Sequence, residues 1–347
     1  MSFGTDLNNN VKDSIAPKVV DTVLGGNKIT QIFLGWETGK FTGKNKQYVV
    51  KVTTAGNGGS FAGLDRFNTN KVDTTQKLTF EPRFYEQPII FSGDELSVSK
   101  TDEAVIDLQI QKGEEAAQEM ADGIGTALYW DGTGNNNKDF LGLIAGCDDG
   151  SNVATYGGLS RATYTTIKGN YDGSTTTITL DAIDSLMRSC NSGNDKVNVI
   201  LTTEAIYHFV EKLMQPVTQN VNIPYDTTGM FKSPKQGLVA QAGYTSLFYK
   251  GVPIYADEKC PANHMFLLNT RTWEFATLDL YDMDPVMLKS TVIEGQYDIN
   301  TEKSYGFFIS KMLRPLDQYG LVSHLMLGGN LMCKNPKRNG YFDAITA

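Results

Sequence analysis

The chain has 347 residues, of which 40% are hydrophobic and 20% charged, and its formal net charge is −8. This composition excludes a disordered polyelectrolyte, and the length suffices for about two domains with cores of their own. The acidic balance does not favour tight binding of nucleic acid, which depends on clustered cations. The 34 glycines show no Gly-X-Y period, which excludes collagen and predicts many turns and loops.

The amino terminus and the apolar runs indicate where the protein is made. Residues 1–10 contain no basic segment followed by an apolar one, so no secretory signal is readable. No apolar run approaches the roughly 20 residues that span a membrane. We therefore expect a protein that is made and kept in a cytoplasm, or that leaves it by a route that needs no signal, such as cell lysis.

Four cysteines are scattered singly along the chain, and none belongs to a C-x-x-C pair. They are Cys147, Cys190, Cys260 and Cys333. A zinc site needs Cys and His at ligand spacing, which His208, His264 and His324 do not supply. We expect four buried or half-buried thiols in a reducing compartment.

Residues 1–39 have the pattern of an extended arm. The apolar residues between Val19 and Leu24 share one helical face, and Gly25 and Gly26 end the pattern, which predicts a short helix. A strand-like apolar run follows from Ile29 to Leu34. A segment with so little apolar content cannot fold alone, so we expect it to lie on another surface.

Residues 40–80 predict a long β-hairpin with a glycine-rich tip. The β-type run Gln47–Thr53 leads into Gly56–Gly59, and the chain returns at Leu78–Phe80. Against two anions, Asp65 and Asp73, the hairpin carries seven cations, so its local charge is +5. The cations are Lys40, Lys44, Lys46, Lys51, Arg66, Lys71 and Lys77. A ribbon this polar buries little and is marginal in water, so we expect it to be stable only on another surface.

Residues 81–130 predict an extended segment followed by a long helix. Pro82 and Pro88 keep the extended segment out of the centre of a sheet. Over residues 101–130, apolar and small residues recur at i, i+3, i+4 and i+7, which predicts a helix of about 45 Å. Its charge is −6, because seven acids oppose Lys112 alone. The acids are Asp102, Glu103, Asp107, Glu114, Glu115, Glu119 and Asp122.

Residues 179–290 have an α/β pattern. A helix starts at Thr179, a buried strand follows at Val197–Leu201, and Thr202 or Thr203 caps a second helix that Pro216 stops. Further strands are predicted along the rest of the chain. They are Tyr244–Tyr249, Val252–Tyr255, Met265–Leu268, Tyr305–Leu313 and Gly320–Cys333.

Sequence motifs for nucleotide or metal binding are incomplete. Gly35–Phe41 is one residue short of a phosphate loop and has Phe where Ser or Thr must reach Mg²⁺. Asp131–Asn137 lacks the glycine and the glutamate of a calcium loop, so a turn is favoured. Asp282 and Asp284 are near enough in sequence to share a cation, but a solvated role is the default. We predict no cofactor and no metal ion.

Candidates for catalysis are equally weak. Ser60 lacks the spacing of a nucleophile elbow. His208 could be a general base, but its place between Tyr207 and Phe209 in a helical pattern favours packing. We predict no catalytic residue and no enzymatic activity.

The order of these elements resembles the major capsid proteins of tailed bacteriophages, which have the Hong Kong 97-type (HK97-like) fold. Leu78–Ser92 resembles the family's descent from the E-loop to the spine helix, and Phe140–Ile144 resembles the loop after that helix. Phe248–Asp257 and His264–Asn269 resemble the late strand pair of the A-domain. The resemblance covers nearly the whole chain.

The resemblance implies an α+β fold with an N-arm, an extended β-hairpin E-loop, a P-domain with a long spine helix, and an α/β A-domain. The arm begins almost at Met1, which suggests a separate scaffold protein or none, and no large cleaved prodomain. The implied division is 1–39 for the N-terminal arm, 40–92 for the E-loop and descent strands, 93–178 for the P-domain with its spine helix, 179–295 for the A-domain, and 296–347 for the P-domain return strands and C-terminus.

The function that the resemblance implies is that of a major capsid protein. Such a protein is made in the host bacterial cytoplasm and assembles with itself, as hexamers and pentamers, into the icosahedral shell of the virion. The shell encloses the double-stranded DNA genome without sequence-specific binding and involves no membrane. Portal, scaffold or decoration proteins are further partners in the family.

The hairpin and the long helix are candidates for the contact between subunits. In the family the E-loop reaches over the P-domain of a neighbouring subunit, and opposite charges on two such surfaces guide encounter and register. The candidate contact residues are Lys44, Lys46, Lys51, Arg66, Lys71, Lys77, Glu114, Glu115 and Glu119.

Two alternatives stay open. An encapsulin-type nanocompartment shell protein would have the same fold, but the N-arm and the long basic hairpin favour the phage form. From another class, a soluble α/β hydrolase would require a pocket in which His208 converges with an acidic partner.

Overall fold

A computed structural model describes residues 27–33, 39–54, 56–63, 65–66, 68–98, 102–193, 195–218, 247–278, 292–294, 304–310, 312–315 and 319–346. The helix expected between Val19 and Leu24 lies outside these residues, and so do Asp282 and Asp284.

The described elements include both helices and strands, in runs of each type along the chain. The helices are α1 (Lys28–Phe33), α2 (Gly93–Val98), α3 (Asp102–Ala127), α4 (Gly134–Asn137), α5 (Leu143–Cys147), α6 (Leu180–Cys190) and α7 (Glu204–Thr218). The strands are β1 (Gly39–Lys40), β2 (Lys46–Lys51), β3 (Thr75–Phe80), β4 (Arg83–Ser92), β5 (Thr155–Tyr156), β6 (Leu159–Ser160), β7 (Asn170–Asp172), β8 (Val199–Thr202), β9 (Leu247–Tyr249), β10 (Val252–Ala256), β11 (Met265–Leu268), β12 (Trp273–Thr277), β13 (Val292–Glu294), β14 (Ser304–Ile309), β15 (Gly320–Cys333) and β16 (Gly340–Phe342). The hairpin, the long helix and the late return strands are therefore confirmed.

The first sheet has the strand order β1-β12-β15-β14-β13, and β4 pairs with the first part of β15. The β4–β15 ladder is antiparallel and runs from the pair Arg83–Gly329 to the pair Ser92–Gly320. Because β15 is its one strand partner within the described residues, β4 is an edge strand, as the proline within it, Pro88, predicts.

Helix α3 packs across β4 and supplies one wall of the main core. Its buried residues Ala117, Met120, Ala121 and Ile124 stand at i, i+3, i+4 and i+7, which confirms the helical period. The hydroxyl of Tyr85 fills the space beside Gly123, where a Cβ atom would overlap it. Within the described residues, no helix is both long enough and apolar enough to cross a bilayer.

The apolar run at Ile29–Leu34 is helical as far as Phe33, so the expectation of a strand is wrong there. Ile29, Ile32 and Phe33 are all buried on one face of α1. The backbone N–H of Ile29 donates to Asp257 at 2.8 Å, so a carboxylate from a distant loop caps the helix. A short apolar run fits a helix as well as a buried strand, so the sequence pattern alone does not distinguish the two structures. The contact with Asp257 stabilises the helix.

The second sheet has the order β7-β16-β11-β8-β10-β9 and combines parallel and antiparallel pairs. The apolar faces of α6 and α7 cover one side, and the other side belongs to the main core, where the rings of Tyr129 and Phe266 lie 5.5 Å apart. Strands β7 and β16 lie outside the range 179–295, so this sheet does not coincide with the predicted A-domain boundaries, which stay a prediction.

The ends of the two helices in this α/β part were predicted from capping residues and a proline. The Thr179 hydroxyl accepts from the N–H of Ala182 at 3.1 Å, which confirms the start of α6. Helix α7 continues past Pro216 to Thr218, so the expected stop is wrong. Proline in a last turn removes a single backbone hydrogen bond, and burial of Ile206 and Val210 holds the helix.

The turn predicted after the long helix is confirmed. Asn135, Asn136 and Asn137 have φ values of 48°, 56° and 64°, which is the left-handed region that asparagine tolerates better than most residues.

Candidate assembly surfaces

The root of the hairpin belongs to the core of its own chain. Leu78 and Phe80 on β3 are 0% and 2% exposed, and the rings of Phe80 and Tyr156 lie 5.2 Å apart. The N–H of Thr79 donates to the carbonyl of Gly157 at 2.9 Å. The expectation that the whole ribbon buries little is therefore wrong for its root, because β3 packs against residues that are distant in sequence.

A charged cluster fixes the other strand of the root, and we call it the Glu274 clamp: Lys46, Tyr48, Glu274 and Lys334. One carboxylate oxygen of Glu274 binds the ammonium of Lys46, and the other lies 2.5 Å from the ammonium of Lys334. The two ammonium groups lie 5.7 and 5.3 Å from the centre of the Tyr48 ring. Lys46, a candidate for contact between subunits, thus binds a residue of its own chain.

Electrostatics in the clamp favours the charged carboxylate. Burial alone would raise the pKa of Glu274, but hydrogen bonds from Lys334 and Lys46 outweigh it and leave that pKa below its ordinary value of 4.5. Burial, helped by the charge of Glu274, raises the pKa of Tyr48. At neutral pH the clamp is therefore an ionised carboxylate between two ammonium groups.

Beyond its root, the hairpin presents cations to solvent. Lys44, Lys51, Arg66, Lys71 and Lys77 are all exposed. Lys71 and Asp73 lie 3.5 Å apart, but their side chains are 90% and 81% exposed, so this pair contributes little. The exposed apolar side chains are Val49, Phe61 and Val72. The hairpin thus offers a basic surface with a few apolar groups.

Two acids of the long helix lie on one exposed face. Glu115 and Glu119 are exposed and Glu114 is half-buried. The amide of Gln111 donates to Glu115 at 3.2 Å, and Gln87 on β4 donates to Glu119. These spacings of four place Glu115 and Glu119 on the same face as Gln111. The structure confirms that both acids lie together on the surface.

A fully buried ion pair is formed by Arg161 and Asp148, whose side chains are both 0% exposed. Arg161 donates to the carbonyls of Ala145 and Val153 at 2.5 and 2.9 Å, and its guanidinium lies 5.0 Å from the Tyr156 ring. Asp148 accepts from the hydroxyl of Tyr341 at 3.2 Å. This cluster joins the loops below the hairpin root to β16. Sequence reasoning missed this cluster, because neither Arg161 nor Asp148 belongs to a motif.

The residues considered for catalysis lie in ordinary structural settings. His208 is exposed on α7, with its ring nitrogens 3.7 Å from Glu204 and 3.3 Å from Glu211 on the same helix. Two grooves of about 520 and 480 Å³ flank Glu81 and Pro82, and His208 lines neither. Neither of these two grooves therefore provides the convergent pocket around His208 that a hydrolase would need.

The four cysteines are all buried free thiols, as expected. Burial raises the pKa of Cys190 and of Cys333 to about 12, which keeps both protonated and unreactive at neutral pH. Over the residues that the structure describes, no three His, Cys, Asp or Glu side chains are grouped so as to hold a metal ion.

The comparisons with known proteins agree with this geometry. The family model "SU10 major capsid protein" matches residues 90–298, which is more than half of the chain. No curated protein sequence matches the chain.

Solved capsid structures have the same fold. A capsid protein of cyanophage A-1(L) is 18% identical, with a TM-score of 0.63 over 89% of this chain and 90% of that one. The capsid protein of the native GTA particle is 12% identical, with a TM-score of 0.53 over 92% and 90%. A chain in a structure described as Mycobacterium phage Bobi is 9% identical, with a TM-score of 0.53 over 94% of this chain and 90% of that one. The predicted HK97-like α+β fold is confirmed, and the chain belongs to the SU10 major capsid protein family, the shell-forming structural proteins of phage virions.

Proposed function

We propose that the chain is a non-enzymatic subunit whose basic hairpin binds the acidic face of α3 on a neighbouring copy, in the icosahedral shell that encloses double-stranded DNA. The host bacterial cytoplasm is the proposed place of synthesis. Hexamers and pentamers are the proposed assembly units, and portal, scaffold or decoration proteins the proposed further partners. The observation that carries the proposed contact is the separation of charge into two exposed surfaces of opposite sign.

The structure supports five of the proposed basic contacts as available to a partner. Lys44, Lys51, Arg66, Lys71 and Lys77 are exposed, whereas Lys46 is engaged in the Glu274 clamp. On the acidic side, Glu115 and Glu119 are exposed and Glu114 is half-buried. We therefore propose the contact through the exposed residues and assign Lys46 to the hairpin root.

Each ion pair contributes little free energy to such a contact, but the sum over all contacts in a shell is large. An exposed ion pair contributes roughly 0.2–1 kcal/mol, and three reversed charges change one contact by about 1–2 kcal/mol. A change of 1.4 kcal/mol is about tenfold in an equilibrium constant. Every subunit repeats the same contact, so the effect on closure of a shell is cumulative.

The test reverses three hairpin charges together: Lys51→Glu, Lys71→Glu and Lys77→Glu. The concentration at which shells form, measured by light scattering and electron microscopy, should rise about tenfold or more. The control variant reverses three exposed lysines elsewhere, Lys196→Glu, Lys212→Glu and Lys337→Glu, and so has the same net charge.

A charge exchange tests the assignment of the partner face. Adding Glu115→Lys and Glu119→Lys to the triple hairpin variant should restore much of the assembly, because two of the three reversed hairpin charges again meet an opposite charge. Equal assembly of the hairpin variant and its control, at both low and high salt, would contradict the proposed contact.

A further inference from the structure

The two strands of the hairpin are attached to the body of the subunit in different ways. Strand β3 has two buried side chains, Leu78 and Phe80. Strand β2 alternates between half-buried and exposed residues, and none of its side chains is fully buried. The polar attachment of β2 at its first residue is the bond from Lys46 to Glu274. Strand β2 also pairs with β3 from Lys46 to Lys51, and Tyr48 and Val50 pack against the main core. The Glu274 clamp adds the polar contact that joins the start of β2 to the first sheet.

The clamp has the features of a built site. It joins β2, β12 and the residue after β15, which are far apart in sequence. The side chains of Glu274 and Lys46 are only 14% and 21% exposed, so the pair is less screened by salt than a surface pair. A Cβ atom at Gly39 would overlap both the Glu274 carboxylate and the Lys46 ammonium, so glycine leaves space for the clamp.

We propose that Glu274 is a positioning residue for assembly, which binds Lys46 and Lys334 at the same time and thereby sets the angle of the hairpin to the first sheet. This inference rests on the proposed function, because the angle affects assembly only if the hairpin contacts a neighbouring subunit. Six residues of β2 span about 20 Å, so a rotation of ~10° at the root moves the far end by about 3.5 Å. Such a displacement is larger than a hydrogen bond tolerates.

The first measurement uses unassembled full-length subunits separated by size-exclusion chromatography. Spin labels at Val72→Cys on the hairpin and Ser185→Cys on α6 give a distance distribution by electron resonance. The four native cysteines are buried and so react poorly with the label. Glu274→Gln should broaden the distribution, since a neutral amide cannot accept from two ammonium groups as a carboxylate does.

Variants of Lys46 separate positioning from general stability. Lys46→Met should broaden the distance distribution as Glu274→Gln does, whereas Lys46→Arg should keep it narrow, because arginine retains the charge and the donors. Lys196→Met, at an exposed position in the α6–β8 connection, is the matched control and should change nothing. An unchanged distribution in both Glu274→Gln and Lys46→Met would overturn the proposal.

The second measurement is the assembly concentration of the same variants without labels. If release of the clamp leaves about one subunit in ten with the competent hairpin angle, this concentration should rise about tenfold in Glu274→Gln and Lys46→Met. A broadened distribution with unchanged assembly would refute the positioning role and count against the hairpin as a contact. A narrow distribution with impaired assembly would refute the clamp alone and leave the proposed contact intact.

Discussion

Arg161 offers a sharp test of how the subunit is held together, because it is fully buried and carries a charge. The perturbation is Arg161→Met, which keeps much of the side-chain length and removes the guanidinium. Burial lowers the pKa of Arg161, while Asp148 opposes that shift. The folded state thus depends on Asp148 to compensate the buried cation.

The magnitude follows from the contacts that are lost. Arg161→Met leaves the carbonyls of Ala145 and Val153 without a strong donor and leaves Asp148 buried without its cation. Removing one partner of a buried pair costs about 3–5 kcal/mol. The backbone N–H groups of Gly150 and Val153 still donate to Asp148, at 2.7 and 2.9 Å. We therefore expect the loss in free energy of unfolding to lie near the lower end of that range, at about 3 kcal/mol.

The assay is chemical and thermal unfolding of unassembled subunits. At about 2–4 °C for each kcal/mol, the melting temperature should fall by roughly 10 °C. Arg188→Met is the control, since the Arg188 side chain is 73% exposed beside Asp184 and its loss should cost no more than about 0.5 kcal/mol. An Arg161→Met subunit within 1 kcal/mol of wild type would refute the reasoning, and so would an equal effect of both variants.

The remaining predictions concern acid stability and the burial of β8 and α7. The pKa of Glu274 is lowered in the folded chain, so its stabilisation is complete above about pH 4.5 and is lost as the pH falls through the folded pKa. The difference in free energy of unfolding between wild type and Glu274→Gln should therefore shrink as the pH falls below about 4.5. Unfolding curves measured over a series of pH values test this, and a difference that stays constant would contradict it. Val199→Asp places an unpaired charge at a site that is 7% exposed and should lower the free energy of unfolding by several kcal/mol. Phe209→Asp should lower the free energy of unfolding by less than Val199→Asp does, because Phe209 is only half-buried. If calorimetry finds the larger loss in Phe209→Asp, the burial assigned to β8 and α7 is wrong.

The comparison of expectation with structure shows where local patterns suffice. The long helix has many turns of regular spacing, and both of its ends were placed within a few residues. The start of α6 was predicted because a threonine cap acts within three residues. The strand expected at Ile29–Leu34 failed because six residues carry too little periodicity, and the deciding contact comes from Asp257, 228 residues away.

For the candidate contact residues, too, local sequence patterns predicted some features, while others depend on contacts that are distant in sequence. Their types and charges were visible as two blocks of opposite sign, and exposure of Glu115 and Glu119 follows from the helix pattern. The engagement of Lys46 was not visible, because Glu274 is 228 residues away and belongs to no motif. Lys46 and Lys44 look equivalent in the sequence, yet one lies in a half-buried clamp and the other in solvent.

By itself the sequence determined the basic hairpin, the acidic helix, their order along the chain and the resemblance to phage capsid proteins. These features depend on residues close together in the chain, through hydrophobic period, turn residues and local charge. Only the tertiary structure decided that β3 enters the core, that Asp257 caps α1, that Arg161 and Asp148 form a buried pair, and that Glu274 holds the root of the hairpin. The physical reason is that burial and charge pairing depend on which distant strands lie side by side.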